Sequence, residues 1–579
     1  MPAGVVDNTD NTEVHGSPTE RVAAAFRRIA EVDRPEVWIT LRAQREVTAE
    51  AAALERRLAA GEVLPLAGVL VAVKDNIDVA GLPTTAACPD FAYTPEVTAS
   101  AVERLVAAGA LVLGKTNLDQ FATGLVGTRS PYGAVRHAVH PELISGGSSS
   151  GSAVAVALGI ADIGIGTDTA GSGRVPAALH GIVGIKATLG IIPAHGVVPA
   201  CADYDAVTVF AADLDRAVAA ARVMTGRDDR DPRSRTWPAD IRLAAPRQPR
   251  LAVPRAEDLA ALTPGYRKAF AETVAAVTES GIVTKEIDIS GLLEAALLLY
   301  DGSIVAERYT AVGAFLDTAP AGADPTVAAI IAAAGRTTGP GFAADLDTLA
   351  RAESAAEELL REFDGLLLPT TTEHPSIEAV QADPITINRR MGTYTNFCNL
   401  LDMAAVAIPG APTADGEPFG VMVVTPAFTD QVGIDLAARI AGVDSPTLVA
   451  DGVDLAVFGA HLRGQTLHWQ LEEIGARFTG EIETTDAYRL TALDTTPPKP
   501  GLVRHGPGLG APIVGELFRV SRAGLGGFLA ELPPPMALTS IELADGRSVI
   551  GFACTYESAV SATDITAFRG WKAYSQRKN

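Results

Sequence analysis

Hydrophobic and polar positions along this chain follow two periods. In ERVAAAFRRIAEV and TAEAAALERRLAAG, apolar residues recur every three to four positions against charged faces. This predicts two helices within residues 19–60, with Gly61 as the stop. Residues 65–79, PLAGVLVAVKDNIDV, predict a buried strand that carries the lone Lys74. A helix at 99–109 and a strand at 110–117 follow, and the alternation continues through 154–159, 162–168, 176–180 and 182–187. After the segment 211–225, the Pro-, Arg- and Asp-rich stretch 226–250 reads as a surface loop. Helices are expected at 264–280, 292–315, 343–363 and 394–403. Strands are expected at 365–369, 405–409 and 420–425, with a loop at 370–384. Helices alternating with short apolar strands define an α/β protein, with a mixed β-sheet core covered by helices.

The pattern breaks near residue 442. Residues 443–453, overlapping SPTLVADGVD, read as a linker between a first domain, 21–442, and a smaller α+β domain, 454–579. That second domain opens with an expected strand, LAVFGAHLRG, and continues through strand-like runs such as AYRLTAL. Asp545–Gly546, between alternating apolar residues, signals a hairpin, and no internal repeat relates the two domains.

Candidate chemistry concentrates in residues 145–188. Two Gly/Ser turns, 146–152 and 169–173, flank an apolar segment with no Lys, Arg or Glu. Glycine at this density lets backbone N–H groups crowd around an anion or oxyanion, and serines in such turns suit a nucleophile and a relay. Lys74 directly follows GVLVAV, where burial favours the neutral amine and makes it a candidate general base.

Composition narrows the partners. The net charge of −22 over 579 residues argues against nucleic acid or an acidic membrane face, while leaving room for a small anionic substrate. Four cysteines without metal-like spacing, and nine histidines without an HExxH pattern, point to no metal, no cofactor and a reducing cytosol. Residues 1–20 read as a disordered tail rather than a signal peptide, and no apolar run suits a membrane span. A soluble, cytoplasmic protein is expected.

Lys74 in VAVKD, GGSSS at 146–150 and GTDTAGSGR at 166–174 together resemble the amidase signature family, as do NLDQFATG and GIKAT. The resemblance implies Ser172 as nucleophile, Ser148 as bridging serine and Lys74 as base, with Thr169, Ala170, Gly171 and Ser172 N–H groups as the oxyanion hole. The family commonly has two glycines before the nucleophile, and here Ala170 takes one of those places. Asp168 and Arg174 are expected to brace the turn. The wording NLDQFATGLVGTRSPYG and LLYDGSIVAERY, with the extra C-terminal domain, resembles the allophanate-hydrolysing branch. That likeness implies a small anionic substrate, N-carboxyurea, recognised by Tyr300 and Arg308, in a pocket closed by Gly124–Arg129 and the 370–373 loop. Eight positions apart on one helix, Tyr300 and Arg308 can face one pocket. The C-terminal domain resembles the gamma-glutamylcyclotransferase-like group. It is expected to decarboxylate N-carboxycarbamate with His461, or with His505 as second choice, unless it only supports folding. Other readings are an amidase for neutral amides and a component of an amidotransferase. The N-terminal helices either form a homodimer interface, as the resemblance implies, or pack on their own domain.

Overall fold

The computed structural model describes residues 16–577, so the expected tail falls outside the described residues except for its last five. Those five already cap and enter helix α1, Pro18–Val32, through a Ser17/Glu20 capping box. Helix α2, Gln44–Ala59, packs beside α1, and their apolar positions Val22, Ala25, Val47, Ala51 and Leu54 are buried in the core of their own domain.

Eleven strands form one mixed sheet: β1 (Trp38–Leu41), β2 (Leu70–Lys74), β3 (Leu111–Thr116), β4 (Ile163–Asp168), β5 (Val183–Lys186), β6 (Ala206–Ala211), β7 (Arg250–Pro254), β8 (Val283–Ile287), β9 (Gly365–Pro369), β10 (Ala404–Pro409) and β11 (Gly420–Thr425). Their order is β1-β3-β2-β4-β6-β5-β10-β11-β9-β7-β8. β2 runs parallel to both β3 and β4, placing Lys74 at the carboxyl end of a central strand. Alternate residues of β2 enter different cores, Val71 and Val73 on one face and Leu70 and Ala72 on the other. The sheet is therefore covered on both sides.

Helix α3, Ser100–Ala107, precedes β3, and helix α4, Ser150–Ala157, lies directly on β4. The IGIG repeat of β4 explains the close fit. A Cβ at Gly164 would meet Ser152 O at 2.6 Å, and one at Gly166 would meet Ser149 Oγ at 2.5 Å. Only glycine lets the helix come this near, and the approach brings the 146–149 turn to the end of β2.

Several expectations need correction. Strands β1, β6, β7 and β8 have no counterpart in the sequence pattern; β8, VTKEI, is largely exposed and lacks apolar alternation. The expected helix 292–315 is broken into Ser290–Leu297 and Ala306–Leu316, joined by a turn and a short 3-10 segment at Ser303–Val305. The Asp301–Gly302 step is the turn chemistry that interrupts it. Helices at Pro325–Ala334 and Ile377–Ala382 also lie in stretches given none. The 226–250 connection does not lie wholly on the surface, because Ile241 and Leu243 are buried. Within 443–453, Leu448 and Val449 are buried too, both N–H groups donating to Gln431 Oε1.

The C-terminal unit has strands β12 (Val453–Val457), β13 (Arg477–Glu483), β14 (Tyr488–Leu493), β15 (Lys499–Arg504), β16 (Val514–Val520), β17 (Met536–Glu542), β18 (Ser548–Cys554) and β19 (Thr563–Asp564). They form a five-stranded sheet, β13-β16-β12-β18-β17, and a three-stranded one, β15-β14-β19. β17 and β18 make the antiparallel hairpin around Asp545–Gly546. The opening strand stops at Val457, so His461 sits in the turn beyond it. Among the described residues no helix is long and apolar enough to cross a membrane.

Candidate active site

The end of β2, the turn before α4 and the turn between β4 and helix α5, Val175–His180, converge on one buried line of groups. Lys74 Nζ donates to Ser148 Oγ at 2.8 Å, Ser148 Oγ donates to Ser172 Oγ at 3.0 Å, and Ser172 Oγ donates to Gly124 O at 3.5 Å. The Gly147–Ser148 peptide is cis. Lys74 Nζ also meets Thr167 Oγ1 at 2.7 Å. No carboxylate pairs with Lys74 among the described residues. Burial pushes its amine down to about 7, partly opposed by the charges of Asp119, Asp205 and Asp168.

Three supports hold the turn that carries Ser172. Asp168 accepts the N–H groups of Gly171 at 2.8 Å and Gly173 at 2.9 Å, and pairs bidentately with Arg174. Both side chains are fully buried; burial acts to raise the Asp168 carboxyl, but Arg174 outweighs it and holds that carboxyl below its usual range. Thr395 Oγ1 donates to Ala170 O at 2.5 Å. On the other side, Thr169 Oγ1 donates to Asp205, whose carboxylate also accepts from Ala200 and Cys201 N–H. Gly171 has φ +133, and a Cβ there would meet Thr395 Oγ1 at 2.4 Å. Ala170, by contrast, has no positive φ, so its methyl group fits where the family often has glycine.

This arrangement corrects one expected role. The Gly171 N–H is engaged by Asp168 and is not free for an oxyanion. The N–H groups of Thr169, Ala170 and Ser172 have no protein acceptor among the described residues.

Tyr300 and Arg308 also meet, though not as two positions on one helix. Tyr300 lies in the turn after Leu297, and its hydroxyl accepts from Arg308 Nη2 at 3.1 Å. Arg308 Nη1 donates to Thr123 Oγ1 at 2.9 Å. The guanidinium is 1% exposed, its Nε is buried without an acceptor, and no ion pair engages it among the described residues. Neither Glu294 nor Glu307 forms an ion pair with it, although the charges of Asp205 and Glu307 act on it. Asp119 shapes the loop between the two sites, accepting N–H groups from Val126, Gly127 and Arg129 at 3.1, 2.9 and 2.9 Å. Sequence reasoning assigns no role to Asp119, Thr123, Thr167, Asp205 or Thr395. NLDQFATG contains the first two and GTDTAGSGR contains Thr167, while nothing in the local pattern marks Asp205 or Thr395.

His461 lines a separate cavity of about 670 Å³ in the C-terminal unit. Its Nε2 is 2.8 Å from Gln470 Oε1, and its ring stacks on Phe552 at 4.7 Å. Burial lowers its pKa. His505 does not line this cavity; its ring lies against Tyr556.

The Lys74–Ser148–Ser172 line is thus buried beneath a glycine turn at the end of a central strand of the mixed sheet. Residues 20–432 match the family model for amidase, and residues 453–576 match that for the allophanate hydrolase C-terminal domain. The chain belongs to the amidase family, whose members act on amide C–N bonds. It superimposes on allophanate hydrolase from Kluyveromyces lactis with a TM-score of 0.86 and 38% identity, covering 98% of both chains. It is 39% identical to urea amidolyase of Saccharomyces cerevisiae over 95% of its own length, but spans only 31% of that relative. It is 41% identical to urea amidolyase of Lachancea kluyveri over 88% of its own length, and spans 30% of that relative.

Proposed function

We propose that the chain hydrolyses allophanate, the anion of N-carboxyurea, through an acyl-enzyme on Ser172. The observation that carries this reading is Arg308, a buried guanidinium without a carboxylate partner, joined through Thr123 to the loop carrying Gly124 O beside Ser172. A buried unpaired cation is costly unless a ligand supplies the anion. The substrate carboxylate does so, with Tyr300 as a further contact, and a neutral amide does not.

With Lys74 neutral, the hydrogen-bonded line runs in reverse. Ser172 passes its proton to Ser148 as Ser148 passes its own to Lys74. The Ser172 oxygen attacks the terminal amide carbon, and the Thr169, Ala170 and Ser172 N–H groups receive the oxyanion. Protonation of the leaving nitrogen through Ser148 releases ammonia. Water then attacks the acyl-enzyme and frees N-carboxycarbamate, a dianion with one carboxylate on each side of its N–H. In the C-terminal cavity, His461 supplies a proton to nitrogen as its bond to one carboxylate breaks, giving carbon dioxide and carbamate.

The four cysteines, all free and buried, are consistent with the reducing cytoplasm we propose as its compartment. The test of the substrate is ammonia release from allophanate by the purified chain, compared with Arg308→Ala. A variant with unchanged kcat/KM for allophanate would overturn the carboxylate role.

A further inference from the structure

The C-terminal cavity is not built from the C-terminal unit alone. Asp240 and Arg242 line it, and both come from the 226–250 connection of the amidase unit. That connection is tied down at both sides of the cavity. Ala523 N–H donates to Ala239 O at 2.9 Å, and Leu243 N–H donates to Gly475 O at 2.8 Å. Arg477 Nε donates to Leu243 O at 2.8 Å while its Nη2 pairs with Asp435. Ile241 and Leu243 are buried on either side of Arg242. Gly475, at φ +64, leaves the room Arg242 occupies, since a Cβ there would lie 2.6 Å from Arg242 Cβ.

Arg242 resembles Arg308 in one respect. Its Nε is buried without an acceptor, although Asp364, at 3.7 Å from its Nη1, pairs with it at ion-pair distance without a hydrogen bond. The short helix His468–Glu473 links it to the imidazole: Gln470 on that helix holds His461, and Gly475 just beyond it touches Arg242. Lys499, at the start of β15, lines the same cavity, and its charge acts on His461. The acidic lining residues, Asp240, Glu473 and Glu531, are exposed, whereas Arg242, Lys499 and His461 are half-buried. The inner charge of the cavity is thus basic and the outer charge acidic.

We infer that residues 239–243 of the amidase unit complete the C-terminal site, and that Arg242 and Lys499 together bind a small dicarboxylate there. The inference rests on the decarboxylation reading for its substrate class: two cations match the two carboxylates of N-carboxycarbamate. It makes the C-terminal site a property of the whole chain.

Malonate is a stable isostere of N-carboxycarbamate, with a methylene group in place of the N–H. Its binding is measured by calorimetry on the full chain carrying Ser172→Ala and Arg308→Ala, which removes turnover and the amidase-site cation. Arg242→Gln and Lys499→Gln are each expected to weaken binding by about tenfold or more, equivalent to about 1.4 kcal/mol. Arg242→Lys, which keeps the charge but not the planar fork, falls between. As a readout without any change at 242, malonate should slow phenylglyoxal modification of Arg242, followed by peptide mass spectrometry. Unchanged malonate affinity in Arg242→Gln, with Lys499→Gln weakened, overturns the role of Arg242 and leaves the decarboxylation reading standing. No malonate binding to the parent chain, and no protection of Arg242, overturns both.

Discussion

Arg308 Nη1 donates to Thr123 Oγ1 at 2.9 Å, one residue before the carbonyl that faces Ser172 Oγ. In the proposed mechanism, recognition and reaction are therefore joined through two consecutive residues, and a substrate carboxylate held by Arg308 would have its amide carbon placed relative to Ser172.

Replacement of Arg308 by alanine is expected to lower kcat/KM for allophanate by roughly a hundredfold or more, the scale of losing a buried charge partner. Turnover of acetamide, which has no carboxylate, should change by no more than about threefold. Lysine at 308 should not restore the rate, because it lacks the fork that reaches Thr123 and Tyr300 together. Steady-state ammonia release with both substrates checks this, and equal losses would return Arg308 to a purely structural role.

As the proposed base, Lys74 would act only when neutral, and burial places its pKa at about 7. Activity should rise with pH through that value and level off above it, since the protonated amine cannot accept from Ser148. A kcat/KM profile for allophanate, corrected for stability, reads this limb directly. A profile flat from pH 6 to pH 9 would exclude Lys74 as the base.

Asp205 ties down Thr169 and adds negative charge near Lys74. Asparagine at this position should loosen the oxyanion turn and lower kcat by roughly ten- to a hundredfold. Removing the charge should also move the acid limb to lower pH, because the carboxylate favours protonated Lys74. A structural defect alone would lower kcat without moving the limb.

Four histidines cluster beside helix α5: His137 stacks on His180 at 4.4 Å and on His140 at 5.6 Å, and meets His374 edge-on at 5.0 Å. Burial lowers His137 to about 2, and His180 and His374 to about 4, from 6.5. These rings stay neutral in the fold while the unfolded chain takes up protons below pH 6.5. Stability should thus be unaffected above that pH and fall below it, by roughly 1.4 kcal/mol per pH unit for each group until its folded value is reached. Urea midpoints from pH 7 to pH 5 should drop less steeply in His137→Asn than in the parent chain, and identical slopes would rule the cluster out as the cause.

The central machinery is legible in the sequence because it is local. GVLVAVKD writes a buried strand with a lysine at its end, and the glycines of GGSSS and GTDTAGSG permit the turns and close approaches that place two serines on that lysine. What escapes depends on partners distant in sequence. β8 is polar and exposed, so its strand character comes from pairing with β7 rather than from its own pattern. The polar composition of 226–250 hides Ile241 and Leu243, whose burial the neighbouring elements supply. The family resemblance pairs Tyr300 with Arg308, and helical spacing would let them face one pocket, yet they meet across a turn. The oxyanion role expected of the Gly171 N–H fails because Asp168, three residues earlier, takes that donor.

The most direct test of the account is ammonia release by the purified chain from allophanate, malonamate and acetamide, with Ser172→Ala alongside. Allophanate should be cleaved at least a hundredfold more efficiently than acetamide, and Ser172→Ala should release no ammonia above background while retaining the parent's unfolding midpoint. Preference for acetamide, or turnover surviving in Ser172→Ala, would contradict it.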